Sequence, residues 1–279
     1  MIEYLRTVQL GAVTITIINV GDIQAPYDEW LSVSPEERSA YAMAKLIGSV
    51  RMPIQCFHVA LPGASILVDA SSYDFPPDHP WVIPQYQPPP GLLAGLAQAN
   101  VQPDEITNVI ITHGHFDHYN GTTYSEQGHY KPCFPNARHH FGRADWDQLQ
   151  PEFQDPNSDA SHTLAILQRH GLLDLIEGDH QLRDGIQIIS APGESPGHQI
   201  VRIHADEQTL YLLGDLYHHT IEVEHPRWML QWNDADANYR SRQALTEAAL
   251  REHALLFATH IPTVGRLQQT DSGPIWEAV

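Results

Sequence analysis

The stretch 108–121, NVIITHGHFDHYNG, constrains this chain more than any other part of it. An apolar run, Val109-Ile110-Ile111, stops at Thr112 and is followed at once by His113, His115, Asp117 and His118. Apolar β-branched residues that end in a polar cluster predict a buried strand delivering its load at its C-terminal end. Four imidazole and carboxylate groups so close together can face one side of a tight loop only if something cationic lies among them. Nitrogen and carboxylate ligands suit zinc, with iron, manganese or cobalt as alternatives. A lone histidine reads as core or surface, and His139, His140, His162 and His170, which lack motif support, are read that way. The H-x-H-x-D-H spacing predicts a metal site.

That run, His113-Gly114-His115-Phe116-Asp117-His118, resembles the signature of the metallo-β-lactamase superfamily. The resemblance implies an α/β fold, an αββα four-layer sandwich with metals at one sheet edge. Later positions match in order: His198 in SAPGESPGHQIVRI, Asp215 in TLYLLGDLYHH and His260 in LLFATHIP. By the family pattern His113, His115 and His198 would hold one zinc ion, and Asp117, His118 and His260 a second. Asp215 would bridge them, since two dications about 3.5–4 Å apart repel without an anion between them. Such a pair ionises water near neutral pH, so no serine or cysteine nucleophile is needed. Asp117 or Asp215 could then return a proton to the leaving group.

Asp215 also separates branches of the family. Metallo-β-lactamases typically lack a bridging carboxylate there, whereas lactonases, glyoxalase II enzymes and organophosphate hydrolases have one. His115 stands where the flavodiiron branch usually has glutamate. Glyoxalase II proteins hold glutathione with basic residues late in the chain, and the tail here offers only Arg266. The segment 215–266 resembles the branch shared by N-acyl homoserine lactonases and methyl parathion hydrolase. In those lactonases a tyrosine three residues after the bridging aspartate contacts substrate. Here that position is His218, with Tyr217 one residue earlier. Both are candidate catalytic residues beside Asp117 and Asp215, and His218 is expected to face the pocket. The implied activity is opening of an ester or lactone. Phosphotriester or aryl ester hydrolysis is the alternative, and a non-catalytic metal-stabilised binding protein a third. Phe116, Tyr119, Trp228, Met229 and Trp232 would give an apolar pocket wall, with ordinary core as the competing account for 228–232.

Composition narrows the partners. Fifteen Lys and Arg against 34 Asp and Glu give a formal charge of −19. Such a surface repels phosphate backbones and anionic membranes. A small uncharged ester, lactone or phosphotriester is therefore expected, and neither nucleic acid nor membrane. The ligand positions run from His113 to His260, so a boundary between them would split the site, and 1–279 reads as a single domain. Cys56 and Cys133 sit in no motif and read as buried thiols. The start lacks a basic segment followed by a long apolar one, and no run reaches the length of a membrane span, so the cytoplasm is the expected compartment.

Elsewhere the pattern predicts an opening strand or hairpin over Thr7 to Val20, turning at Gly21-Asp22, and a hairpin over Cys56 to Ala70. Asp69 should support the histidine loop by hydrogen bonding. Ser34 caps a predicted helix running through Met43 to about Ile47. The proline- and aromatic-rich stretch 73–91 predicts an ordered loop near the pocket mouth. Segments 24–50 and 73–91 are candidate lid or homodimer contacts. Helices are expected over Leu92 to Asn100 (Leu92, Leu93 and Leu96 on one face), Ala144 to Leu149, Ala160 to Leu173, and Arg240 to His253 after a cap at Asp236.

Overall fold

The structure is a computed structural model that describes residues 4–34, 36–37 and 49–279. In chain order the first half contributes β1 (Leu5–Leu10), β2 (Val13–Ala25), β3 (Val50–Leu61), β4 (Ala64–Val68) and β5 (Asn108–Ile110), then a separate hairpin, β6 (Thr123–Glu126) and β7 (His129–Pro132), then β8 (Arg138–Gly142) and β9 (Leu173–Ile176). All but the hairpin form one seven-stranded sheet in the order β1-β2-β3-β4-β5-β8-β9. The second half contributes β10 (His180–Arg183), β11 (Ile186–Ser190), β12 (Gln199–Ala205), β13 (Gln208–Leu212), β14 (Leu255–Phe257), β15 (Gly265–Thr270) and β16 (Gly273–Ala278), paired in sequence order. Most pairs are antiparallel. The parallel ones include β4 with β5 and β13 with β14. Parallel neighbours end on the same side, so the loops after these four strands emerge together, and each carries a residue singled out above.

Alternating apolar residues give each sheet two buried faces. Ile15, Phe57, Val59 and Ile66 of the first sheet pack against Ile188, Val201, Leu212 and Phe257 of the second. Phe57 meets Phe257 edge-on, with ring centroids 6.0 Å apart. After the short helix α1 (Tyr27–Trp30), the outer face of the first sheet is covered by α2 (Leu92–Gln98), α3 (Arg143–Gln148), α4 (Asp159–His162) and α5 (Leu164–Arg169), through Leu96, Trp146, Leu164 and Leu167. The second sheet's outer face is covered by α6 (Ile221–Glu224) and α7 (Ala235–Glu252), through Val223, Leu245 and Ala249. Helix, sheet, sheet and helix make the four expected layers.

Several local expectations are corrected. The first hairpin turns at Gly11-Ala12, and β2 continues through Gly21-Asp22, where the register with β3 shifts between Asn19 and Gly21. A glycine reads as a turn from sequence; here its bareness admits the Tyr73 ring, which a Cβ at Gly21 would meet at 2.1 Å. Leu93 is exposed rather than packed beside Leu92 and Leu96. The helix expected over 160–173 is broken at Thr163. Helix α7 starts earlier than expected, because Asp234 rather than Asp236 accepts the Ala237 N–H at 2.9 Å. Ser34 does accept from the Glu37 N–H at 3.2 Å, but most of the predicted helix beyond it lies outside the described residues. Cys56 and Cys133 are both free and buried. Among the described residues no helix is long and apolar enough to cross a membrane.

Candidate metal centre

The histidine loop leaves β5 and is held from beneath by Asp69, at the end of β4. One Asp69 oxygen accepts the Thr112 N–H at 2.7 Å; the other accepts Thr112 Oγ1–H at 3.0 Å and lies 2.8 Å from His118 Nδ1. Asp69 has φ 58, a left-handed backbone that disfavours a side chain, so its three polar contacts offset a real local cost. A second carboxylate ties this loop to the one carrying His198. Asp145 of α3 accepts from Gly114 N (2.7 Å), Ser195 Oγ (2.6 Å) and Gly197 N (2.5 Å). Burial raises the Asp145 pKa, while those three donors work against the rise. Gly214, after β13, has φ +52, and a Cβ there would meet the Thr112 side chain at 2.7 Å.

Two groups of donors gather above these supports. His113, His115, Glu194 and Asp215 form one, and Asp117, His118 and His260 the other. Asp215 Oδ2 joins them, 3.2 Å from both His118 Nε2 and His260 Nε2 and 3.9 Å from His113 Nε2. Asp117 Oδ2 lies 3.5 Å from His260 Nε2 and 3.8 Å from His118 Nε2. Burial opposes the Asp215 charge, but His260, His118 and His218 outweigh it and hold the carboxyl well below its usual range. Burial likewise opposes a proton on His118, yet Asp215, Asp69 and Asp117 raise its pKa well above the ordinary value. Anions so placed call for positive charge.

The donor set fits a metal on its chemistry. His260 Nδ1 donates to Pro53 O at 2.8 Å and His198 Nδ1 to Ala191 O at 3.0 Å. A carbonyl only accepts, so these bonds fix the proton on Nδ1 and leave each Nε2 an acceptor, the form that binds an ion. His118 is set the same way by Asp69. Buried His118 Nε2 and Asp215 Oδ1 have no hydrogen-bond partner, a state that costs free energy unless a ligand completes it.

A cavity of about 430 Å³ opens over this cluster. Asp117, Asp215, His218 and His260 contribute to its floor; Trp30, Met52, Trp81, Phe116 and Trp232 are among its apolar walls. Trp30 meets Trp81 and Trp232 edge-on, at 5.2 and 5.5 Å. Trp81 comes from the proline-rich stretch, which is pinned where its carbonyl accepts the Gln24 N–H and the Tyr86 hydroxyl accepts the Asp22 N–H. Glu152 and Asp159 also reach the cavity.

A model of the metallo-β-lactamase superfamily matches residues 51–260, most of the chain and a range that contains every metal position expected from sequence. The chain belongs to the metallo-β-lactamase superfamily. Among curated proteins it is 23% identical over 179 residues to an N-acyl homoserine lactonase of Bacillus cereus, a match reaching 64% of this chain and 65% of that protein. Two solved structures share the fold over the whole chain. One is the hydrolase AbOPH, with TM-score 0.79, 18% identity and 98% of that chain covered. The other is the dizinc quorum-quenching lactonase AidC, with TM-score 0.77, 21% identity and 98% covered.

Within this superfamily framework the expected residues fall unevenly. His113, His115, Asp117, His118, Asp215 and His260 are brought together in the two groups. His198 is buried beside His113, ring centroids 5.2 Å apart, but lies outside both groups, its Nε2 accepting the Asp215 N–H at 3.2 Å. His218 reaches the cavity floor, its Nε2 3.1 Å from Asp215 Oδ2. Burial opposes its protonation, but Asp215, Glu194 and Glu222 raise its pKa to about 9. Tyr217 is corrected: it turns into the core of the second sheet, with its hydroxyl 3.4 Å from Thr246 Oγ1 and its ring under the Arg242 guanidinium. Trp228 and Met229 are core, whereas Phe116, Tyr119 and Trp232 reach the cavity. Sequence reasoning passed over Glu194 and Trp30. The one available signal was an acid lodged in the PGESPG run.

Proposed function

We propose that this superfamily member is a dinuclear metal hydrolase that opens a small uncharged ester, with a lactone as the preferred substrate. The observation that carries the reading is the pair of donor groups joined through Asp215 on the floor of an aromatic-walled cavity. Two ions there would supply Lewis acidity, ionising water near neutral pH and polarising the carbonyl. His113, His115, His198 and Asp215 are the proposed ligands of the first ion, and Asp117, His118, His260 and Asp215 those of the second. The aromatic walls bury apolar substrate surface, worth about 25 cal/mol per Å² removed from water. Glu152 and Asp159 at the cavity disfavour an anionic substrate. The lactonase relative supports the choice of a lactone.

His218 takes the substrate side of this site: its Nε2, which lies 3.1 Å from Asp215 Oδ2, would donate instead to the carbonyl oxygen or to the departing alkoxide once ions occupy that carboxylate. Its place, where the lactonases carry tyrosine, favours phosphotriester or aryl ester hydrolysis as the second reading. A panel of lactones, aryl esters, phosphotriesters, thioesters and β-lactams separates them. Lactone turnover should exceed the rest; turnover of thioesters or β-lactams alone would refute the proposal, and a phosphotriester preference would select the second reading.

The same assay reads the two neighbouring residues. His218→Ala should lower kcat at least about tenfold, at the lower edge of general acid–base contributions, with metal content unchanged. Tyr217→Phe should change kcat little, since its hydroxyl faces Thr246. Metal loss in His218→Ala would assign the ring to support of the ligands instead.

A further inference from the structure

Glu194 is the one carboxylate at the centre that the superfamily pattern does not explain. It lies in the loop between β11 and β12, and its side chain is wholly buried. Its Oε1 accepts the Trp232 Nε1–H at 2.7 Å and lies 3.3 Å from His115 Nδ1 and 3.6 Å from His218 Nε2. Its Oε2 is buried with no hydrogen-bond partner. Among the described residues no lysine or arginine forms an ion pair with it. The positive charge facing it is His218, on the Oε1 side, which leaves Oε2 without a partner, a costly state for a buried carboxylate oxygen. Asp145 shows how this fold treats a carboxylate whose task is structural: both of its oxygens accept hydrogen bonds. Glu194 differs: one of its oxygens has no partner, and the other lies 3.3 Å from the ligand His115.

Spacing says what would close it. Nitrogen and oxygen ligands sit about 2.0–2.2 Å from a bound ion, which puts adjacent ligand atoms of one ion roughly 3–3.5 Å apart. His113 Nε2 and His115 Nδ1 are 2.9 Å apart, and His115 Nδ1 and Glu194 Oε1 are 3.3 Å apart. Asp215 completes a set whose ligand atoms all lie within 4.8 Å of one another.

We propose that Glu194 is a further ligand of the first metal, joining His113, His115, His198 and Asp215. Glu194 would place a full negative charge on the first ion, in addition to that ion's share of the bridging Asp215. The added anionic oxygen also shifts preference from zinc toward harder ions such as manganese or iron(II). The inference rests on the dinuclear reading above but can fail independently of it.

The test uses chelator-stripped full-length protein, titrated with Co2+ by its d–d absorption and with Zn2+ against a chromophoric chelator. The unmodified chain should take up two ions. In Glu194→Gln the first-site affinity should fall by well over about a hundredfold, beyond the roughly 10–100-fold cost of losing a residue that merely orients a ligand, and the Co2+ spectrum should change. Trp232→Phe, which keeps the carboxylate and removes only its N–H donor, should lose much less. Thermal unfolding adds a sign reversal: stripped Glu194→Gln should melt no lower than the stripped unmodified chain, because a buried charge is gone, yet gain less on adding metal. Two ions bound by Glu194→Gln with unchanged affinity and spectrum would overturn the proposal, as would an equal loss in Trp232→Phe. An unmodified chain that binds no second ion would instead defeat the dinuclear reading.

Discussion

Asp215→Asn should leave the chain folded and cut hydrolysis at least about a hundredfold, the scale of removing a single electrostatic contributor in other enzymes. Metal stoichiometry should fall with it. Asparagine keeps the shape of the side chain, so the packing around Leu213 and Leu216 is undisturbed; what goes is the negative charge. Two dications about 3.5–4 Å apart repel by something on the order of 15–20 kcal/mol even at an effective dielectric of 20. No array of neutral imidazoles offsets that, whereas an anion between the ions does. Asp215 Oδ2 is the atom placed for it, within 3.2 Å of Nε2 on both His118 and His260. Metal analysis beside a turnover assay checks the result. Near-normal activity at full occupancy would show that the bridge is dispensable and the two-metal mechanism wrong.

What could be read from sequence divides along physical lines. His113 to His118 were legible because their spacing is local and their chemistry has few other uses. The strands before His198, Asp215 and His260 were legible because apolar runs of that length have one common outcome, and Asp69 because it follows such a strand. Turn and cap positions were less so. Gly21 serves a ring contact from Tyr73, fifty residues away, and looks no different from a turn glycine in the sequence. Asp234 and Asp236 offer the same side chain, and only the backbone path out of Gln231-Trp232-Asn233 decides which one caps α7. Glu194 and Trp30 were missed for a related reason. Their burial depends on loops folding over the site, and no periodicity marks a loop residue as turned inward.

The same blindness applies to the buried pair behind His218, where the second large effect is expected. Glu222 and Arg242 are both fully buried. Glu222 accepts from Arg242 Nη2 and from the Tyr27 hydroxyl, and also from the His218 N–H at 3.2 Å. Arg242 in turn donates to Leu216 O at 2.9 Å and to Trp228 O at 2.5 Å. Burial and then Glu222 raise the Tyr27 pKa well above the ordinary phenol range, so Tyr27 stays a donor. The pair therefore grips the backbone of 216–218 from both sides and sets where His218 points. Glu222→Gln leaves the guanidinium buried without its counter-charge and should destabilise the fold by about 3–5 kcal/mol, the range for breaking a buried pair from one side. Replacing both partners, Glu222→Leu with Arg242→Met, should recover much of that stability, since an apolar pair of similar volume avoids the desolvation cost. It should not recover turnover, because the His218 N–H and the Leu216 carbonyl still lack their partners. Denaturant midpoints and kcat on the same variants separate the two effects. A Glu222→Gln protein as stable as the unmodified chain would show that the pair holds nothing in place; a double variant with full kcat would show that His218 is positioned by something else.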